Sequence, residues 1–157
     1  MAEIVFVRID DRLLHGQVAR SWVKEEGANL IVVANDKVAE DRETQKLMNI
    51  ATPLYADTRF LSVNNLIEKI KDDHDGKKVL ILVEGPEDAI KLLDAGLDIK
   101  SINVGNMREL PGKEKVIDDV FVSTEDRANF KKIHDKGVAL DLRILSSDAP
   151  SDENLLF

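Results

Sequence analysis

The chain contains no cysteine. Disulfides, thiol catalysis and cysteine-ligated zinc or iron–sulfur sites are excluded by that alone, and a reducing cytoplasm is permitted. Basic charge is also short. Lysine and arginine number 22 against 30 aspartates and glutamates, for a formal net charge of −8 at pH 7. A general binder of nucleic acid or anionic membrane needs a basic face to meet phosphates, so that class is excluded as well. Long apolar runs are missing: even Val79–Val83 falls far below the roughly 20 residues of a membrane-spanning helix. Met1–Val7 is a short apolar run without a basic leader and meets Arg8 at once, so no export signal is read. Linkers, low-complexity tracts, repeats, Walker-type loops and dinucleotide glycine motifs are absent. Only three histidines, His15, His74 and His134, are available for imidazole chemistry.

What is present fits one soluble domain over residues 1–157, with 43% hydrophobic and 33% charged residues. A chain of this length buries about two-thirds of its unfolded surface and needs no staple. The apolar runs are short and β-branched: Ile4–Val7, Leu30–Val33, Val79–Val83, Ile102–Val104, Val120–Val122 and Val138–Leu145. Runs apolar on consecutive residues suit strands buried on both faces of a parallel sheet. The last run differs, because Asp141 and Arg143 alternate with apolar residues, as on a half-exposed edge strand that could run antiparallel.

Helical periodicity fills the gaps. Ser62 is placed to cap Val63, Leu66, Ile67 and Ile70. Pro86 suits a first helical residue and Gly96 a stop. Ser123 or Thr124 caps a helix carrying Phe130 and Ile133 and ending at Gly137. Further helices are expected from Gly16 to about Glu26 and from Glu40 to about Ala51, with a short strand within 53–61. The expectation is an α/β fold, an open and mostly parallel twisted sheet with helices on both faces. The tail, about 146–157, reads either as a mobile end or as a docking segment.

Open α/β sheets bind ligands beyond the carboxyl ends of their strands. Of the loops there, Arg8-Ile9-Asp10-Asp11-Arg12-Leu13-Leu14-His15-Gly16-Gln17-Val18 carries the most chemistry. It joins the first strand to the first helix. Gly16 lets backbone approach a ligand closely. A helix starting there points free N–H groups at whatever sits on His15, and the planar fork of Arg12 suits phosphate oxygens. Together these suggest that His15 itself takes and passes on a phosphoryl group, with no metal or cofactor. Asp10 would fix the arginine or the loop, and at least one of Asp10 and Asp11 should point away from a phosphate. The bland reading is a surface histidine, with Arg8 and Arg12 paired to Asp10 and Asp11. His74 reads as part of a solvated loop, His134 as a helix C-terminal cation, and Trp22 and Val18 as core.

The same residues resemble a known family. Arg8 through Val18, then Trp22, then Ala28-Asn29-Leu30-Ile31-Val32-Val33, are similar to the IIB component of the mannose/fructose/sorbose class of the bacterial sugar phosphotransferase system. The likeness continues through Ile99-Lys100-Ser101-Ile102-Asn103-Val104-Gly105-Asn106-Met107-Arg108 and Val122-Ser123-Thr124-Glu125-Asp126. One departure is Asn106, where many relatives carry a second glycine. The resemblance implies a cytoplasmic phosphocarrier associated with the membrane permease, a protein-Npi-phosphohistidine–sugar phosphotransferase. In that reading His15 is phosphorylated by a phospho-IIA protein and passes the group to a sugar carried by the IIC and IID membrane components. Arg12, Asp10, Gly16 and Gln17 would support the phosphate site. The IIB unit would stand alone, without a fused IIA domain. Which imidazole nitrogen and which sugar are involved stays open.

Two other readings compete. Asp10-Asp11 is similar to the acidic pair of receiver domains that are phosphorylated on aspartate. Against that, the third clear strand ends in Glu84 and no lysine follows Val120–Thr124 at a receiver-like position. A non-catalytic small-ligand module would use the same crevice without a labile phosphate.

Overall fold

The computed structural model describes residues 2–72 and 76–157, so the loop around His74 lies outside the described residues. Six strands form one sheet in the order β3-β2-β4-β1-β5-β8. They are β1 (Glu3–Asp10), β2 (Leu30–Ala34), β3 (Asp57–Leu61), β4 (Lys78–Val83), β5 (Ser101–Asn106) and β8 (Ala139–Leu142). Every pairing in this sheet is parallel. The edge strand β8 therefore runs parallel to β5, and among the described residues its antiparallel pairing is limited to a bridge from Leu142 to Ser151.

The strands alternate between two cores because successive side chains leave opposite faces. Val79, Ile81 and Val83 of β4 enter one apolar cluster, Leu80 and Leu82 the other. The first cluster lies under α3 (Val63–Asp72), α4 (Pro86–Asp94) and α5 (Thr124–Asp135), through Leu66, Leu92 and Phe130 among others. The second lies under α1 (Gly16–Val18), which runs on into a π-helical turn over Ala19–Val23 carrying Trp22. On that side α2 (Arg42–Asn49) buries none of its residues fully and rests on Met48. Helices thus cover both faces, as the periodicity requires.

Local signals account for most boundaries. The Ser62 hydroxyl accepts from Asn65 N–H at 3.1 Å. Ser123 and Asp126 form a reciprocal capping box on α5. Gly137 takes φ +82, the left-handed turn that ends α5 and sends Val138 into β8.

The sequence expectation fails at Val120–Val122. That strand, β7, pairs antiparallel with β6 (Glu114–Ile117) and meets the main sheet through a parallel bridge from Val120 to Met107, just after β5. The far edge of the main sheet, beside β2, is β3, whose exposed and half-buried residues make only a weak apolar pattern. The tail packs against the body. Glu153 accepts from the Leu140 N–H at 2.6 Å, Leu156 is fully buried, and Phe157 tilts against His134 at 4.7 Å between ring centres. It covers part of the open edge at β8.

The chain leaves β1 toward β2 and leaves β4 toward β5, in opposite directions along the sheet. The crevice that such a reversal opens lies at the carboxyl ends of β1 and β4. The two-sided core predicts the following outcome. Phe130→Ala should lower the unfolding free energy by about 3–5 kcal/mol, whereas Leu47→Ser, at a site 71% exposed, should change it by less than about 0.5 kcal/mol. Chemical denaturation monitored by circular dichroism checks both.

Candidate active site

Residues 8 and 10 of β1 share a face, opposite to that of Val7 and Ile9, which enter the first apolar cluster. Arg8 and Asp10 are therefore driven together under Trp22, and both are fully buried. The Arg8 Nε and Nη2 donate to Asp10 Oδ2 at 3.2 and 3.1 Å. Its Nη1 donates to Asn103 Oδ1 at 2.7 Å and to the Ile144 carbonyl at 2.9 Å. The guanidinium carbon lies 5.8 Å from the Trp22 ring centre. Gly105 faces this group: a Cβ there would overlap the guanidinium carbon and both terminal nitrogens. The glycine in the Asn103-Val104-Gly105 segment thus makes room for a buried arginine.

Asp10 is the hub. Its Oδ2 also meets His15 Nε2 at 2.9 Å, and its Oδ1 accepts the Arg12 N–H at 2.9 Å. Burial alone would raise the Asp10 carboxyl. The hydrogen bond from His15, the charge of Arg8 and the Arg12 N–H together outweigh it and hold the group below its ordinary value. Burial lowers the Arg8 guanidinium, against the opposing pull of Asp10.

The loop is pinned by leucines. Leu13 adopts φ +59, a left-handed conformation that costs a side-chain-bearing residue roughly 1–2 kcal/mol. Its N–H closes a turn onto the Asp10 carbonyl at 2.9 Å, and both Leu13 and Leu14 are buried in the second core cluster. Burial of two leucines offsets the backbone strain and delivers His15 to the start of α1. His15 is the N-cap of that helix, with extended backbone and a side chain 18% exposed. An ionised carboxylate can only accept. The Nε2 of His15 therefore carries the proton donated to Asp10, and in the tautomer that leaves the ring neutral the lone pair lies on Nδ1.

The remaining predicted residues are gathered around it. Arg12 is about half exposed (48%); its Nη2 donates to Gln17 Oε1 at 3.0 Å, and its Nε stands 4.0 Å from Asp10 Oδ1. Gly16 and Gln17 open α1. Asp11 points away from His15, as the repulsion argument requires of one of the pair. It accepts from Asn106 Nδ2 at 2.6 Å and from Arg108 N–H at 2.8 Å, tying the β5 loop to the β1 loop. The side chain of Asn106 is used for that tie. A cleft of about 290 Å³ lies beyond it, lined by Asp11, Glu84, Arg108, Lys113 and other residues. On the far side Asn35 donates to Glu84 at 2.8 Å and joins the ends of β2 and β4. Asn103 and Gly105 went unrecognised as site residues, although both stand in a motif that was read; nothing local in sequence says that Arg8 is buried.

The paired acids of a receiver domain are not reproduced, since Asp10 and Asp11 turn apart, each onto its own arginine. A buried cation–carboxylate–imidazole chain thus ends at a helix start beside an arginine. Residues 4–157 match the family model described as the PTS system sorbose subfamily IIB component. The chain is similar to the N-acetylgalactosamine-specific phosphotransferase enzyme IIB component 2 of Escherichia coli (strain K12), 40% identical over 138 residues and 88% of either chain. It is also similar to the mannose-specific EIIAB component of that strain, 36% identical over 146 residues, 92% of this chain and 45% of that one. A solved structure, the N-acetylgalactosamine-specific IIB component 1 from Escherichia coli, superposes with a TM-score of 0.91 at 34% identity, covering 96% of this chain and 99% of the other. The chain belongs to the sorbose/mannose class of phosphotransferase-system IIB components, and it is a phosphocarrier in sugar phosphotransfer. The receiver and simple-binder readings are not supported.

Two outcomes test this geometry. The Asp10 carboxyl sits below its unfolded value, so its contribution to stability is complete above the ordinary carboxylate range, near pH 4, and is lost below it, as pH falls through the lowered folded-state value. Asp10→Asn should therefore be less stable at pH 7 and lose less further stability between about pH 5 and pH 2. Denaturation midpoints across pH check this; parallel curves for the two proteins would contradict it. Gly105→Ala should cost about 3 kcal/mol or more, because the displaced arginine leaves a buried charge unpaired.

Proposed function

We propose that Nδ1 of His15 accepts a phosphoryl group from the phosphohistidine of a IIA protein and passes it to a sugar. The observation that supports this reading most is the 2.9 Å contact from His15 Nε2 to Asp10, which fixes the ring with one nitrogen free. The Nδ1 lone pair attacks phosphorus, the bond from phosphorus to the donor histidine breaks, and its electron pair returns to the donor nitrogen. The His15 ring then carries a phosphoryl group on Nδ1, a proton on Nε2 and a positive charge. Asp10 stabilises that charge, and the protonated ring is the better leaving group for the second transfer. In that step a sugar hydroxyl oxygen attacks phosphorus as its proton passes to water, the bond from phosphorus to Nδ1 breaks, and its electron pair returns to Nδ1, leaving His15 neutral with its proton still on Nε2.

Arg12 turns from Gln17 toward the phosphoryl oxygens, and the opening amides at Gly16 and Gln17 add donors there. Charge neutralisation and position supply the catalysis. On this reading residues 1–157 act as one IIB domain in the cytoplasm, docking to membrane IIC and IID components. Among the described residues no helix is long and apolar enough to cross a membrane. The joined name of the EIIAB relative supports a IIA protein as the donor. The related names include N-acetylgalactosamine and mannose, so they favour no single sugar.

Incubation with enzyme I, HPr, a cognate IIA protein and radiolabelled phosphoenolpyruvate tests the reading. The expected product is an acid-labile, alkali-stable label that is lost in His15→Ala. Label surviving that substitution, or an alkali-labile acyl phosphate, would overturn it. Arg12→Ala should slow transfer by about 10- to 100-fold while the circular dichroism spectrum is unchanged.

A further inference from the structure

The cations of the β1 and β5 loops do not by themselves balance a phosphoryl group on His15. Arg8 is engaged by Asp10 and Arg108 by Asp11, each through side-chain hydrogen bonds. Arg12 alone remains, and it is partly drawn to Asp10 at 4.0 Å. A phosphoryl group carries about −1.5 to −2 charges near neutral pH.

A second cation stands beside the site. Arg20 is exposed and, among the described residues, makes no hydrogen bond or ion pair. It follows Gly16 by four residues, and helical side chains lean toward the turn that precedes them. Its guanidinium accordingly lies over Gly16. The Nη1, Cζ and Nη2 atoms are 3.1, 3.5 and 3.6 Å from the point where a Cβ on residue 16 would stand. A Cβ at 16 would require the guanidinium to give by a few tenths of an ångström, so the glycine lets it rest close against the backbone of the residue that follows His15.

We infer that Arg20 is a second phosphate-contacting residue, which with Arg12 clamps the phosphoryl group on His15. An unpartnered guanidinium is free to close on an anion without breaking an existing pair, which Arg8 and Arg108 are not. This rests on His15 being the phosphoryl acceptor.

The experiment combines single-turnover transfer from the phosphorylated cognate IIA protein with a phosphorus NMR pH titration of the phosphorylated IIB chain. Arg20→Ala should lower the maximal transfer rate about tenfold or more, leave the half-saturating IIA concentration within about twofold, and raise the second ionisation of the phosphoryl group by roughly one pH unit. Arg20→Lys should recover most of both effects. Lys24→Ala, which removes an equal charge one turn further along, should change neither. Transfer within twofold of the unsubstituted chain, a rise only in the half-saturating IIA concentration, or an unmoved titration would overturn the inference while leaving the labelling of His15 intact. Failure of the unsubstituted chain to be labelled would overturn the functional reading and this inference with it.

Discussion

The buried Arg8–Asp10 pair is the interaction on which the site depends. Two charges taken out of water are costly unless every donor and lone pair is answered, and here the surroundings answer them. Asn103 and the Ile144 carbonyl take the rest of the guanidinium, and Trp22 covers it. Gly105 yields the volume it needs. The carboxylate that results is ionised, immobile and aimed at His15. A surface aspartate at the same distance would hold the ring weakly and without a fixed tautomer. The pair also couples distant chain segments, because its partners come from β1, β5 and the residues after β8, all held by one ion pair.

The loop between Asp10 and His15 shows how such a site is built without a large insertion. Asp10 accepts the Arg12 N–H, Leu13 bends backward at positive φ, and two buried leucines hold the bend in the core. Strain at Leu13 is supported by packing, as expected where geometry is set for chemistry. Asp11 faces the other way and binds the β5 loop through Asn106 and Arg108. Adjacent acids thus serve separate ends: one orients the histidine, the other fixes the wall of the neighbouring cleft.

How far the sequence foretells this depends on the residue. β4 was plain, since five consecutive apolar residues leave no other place than a sheet covered on both faces. The alternation at Asp141 marked β8 as an edge, while its direction could not be read because parallel and antiparallel edges share a period of two. Val120–Val122 reads like a core strand, yet three residues are too few to say which sheet they join. Its partner, Glu114–Ile117, hides behind two charged residues. The motif residues His15, Arg12, Asp10, Gly16 and Gln17 do come together at one strand end. What could not be read was burial: an arginine is ordinarily exposed, so neither the depth of Arg8 nor the purpose of Gly105 shows until β1 and β5 lie side by side.

The ring itself offers the most direct test, since the account holds that Asp10 dictates the chemistry by holding the proton on Nε2. Nitrogen-15 NMR of imidazole-labelled chain, before and after phosphorylation, reads the tautomer and the site of the phosphoryl group. The account predicts a neutral ring protonated at Nε2 in the free chain and a phosphorus coupling at Nδ1 in the product. A phosphoryl group on Nε2, or a free ring protonated at Nδ1, would contradict it.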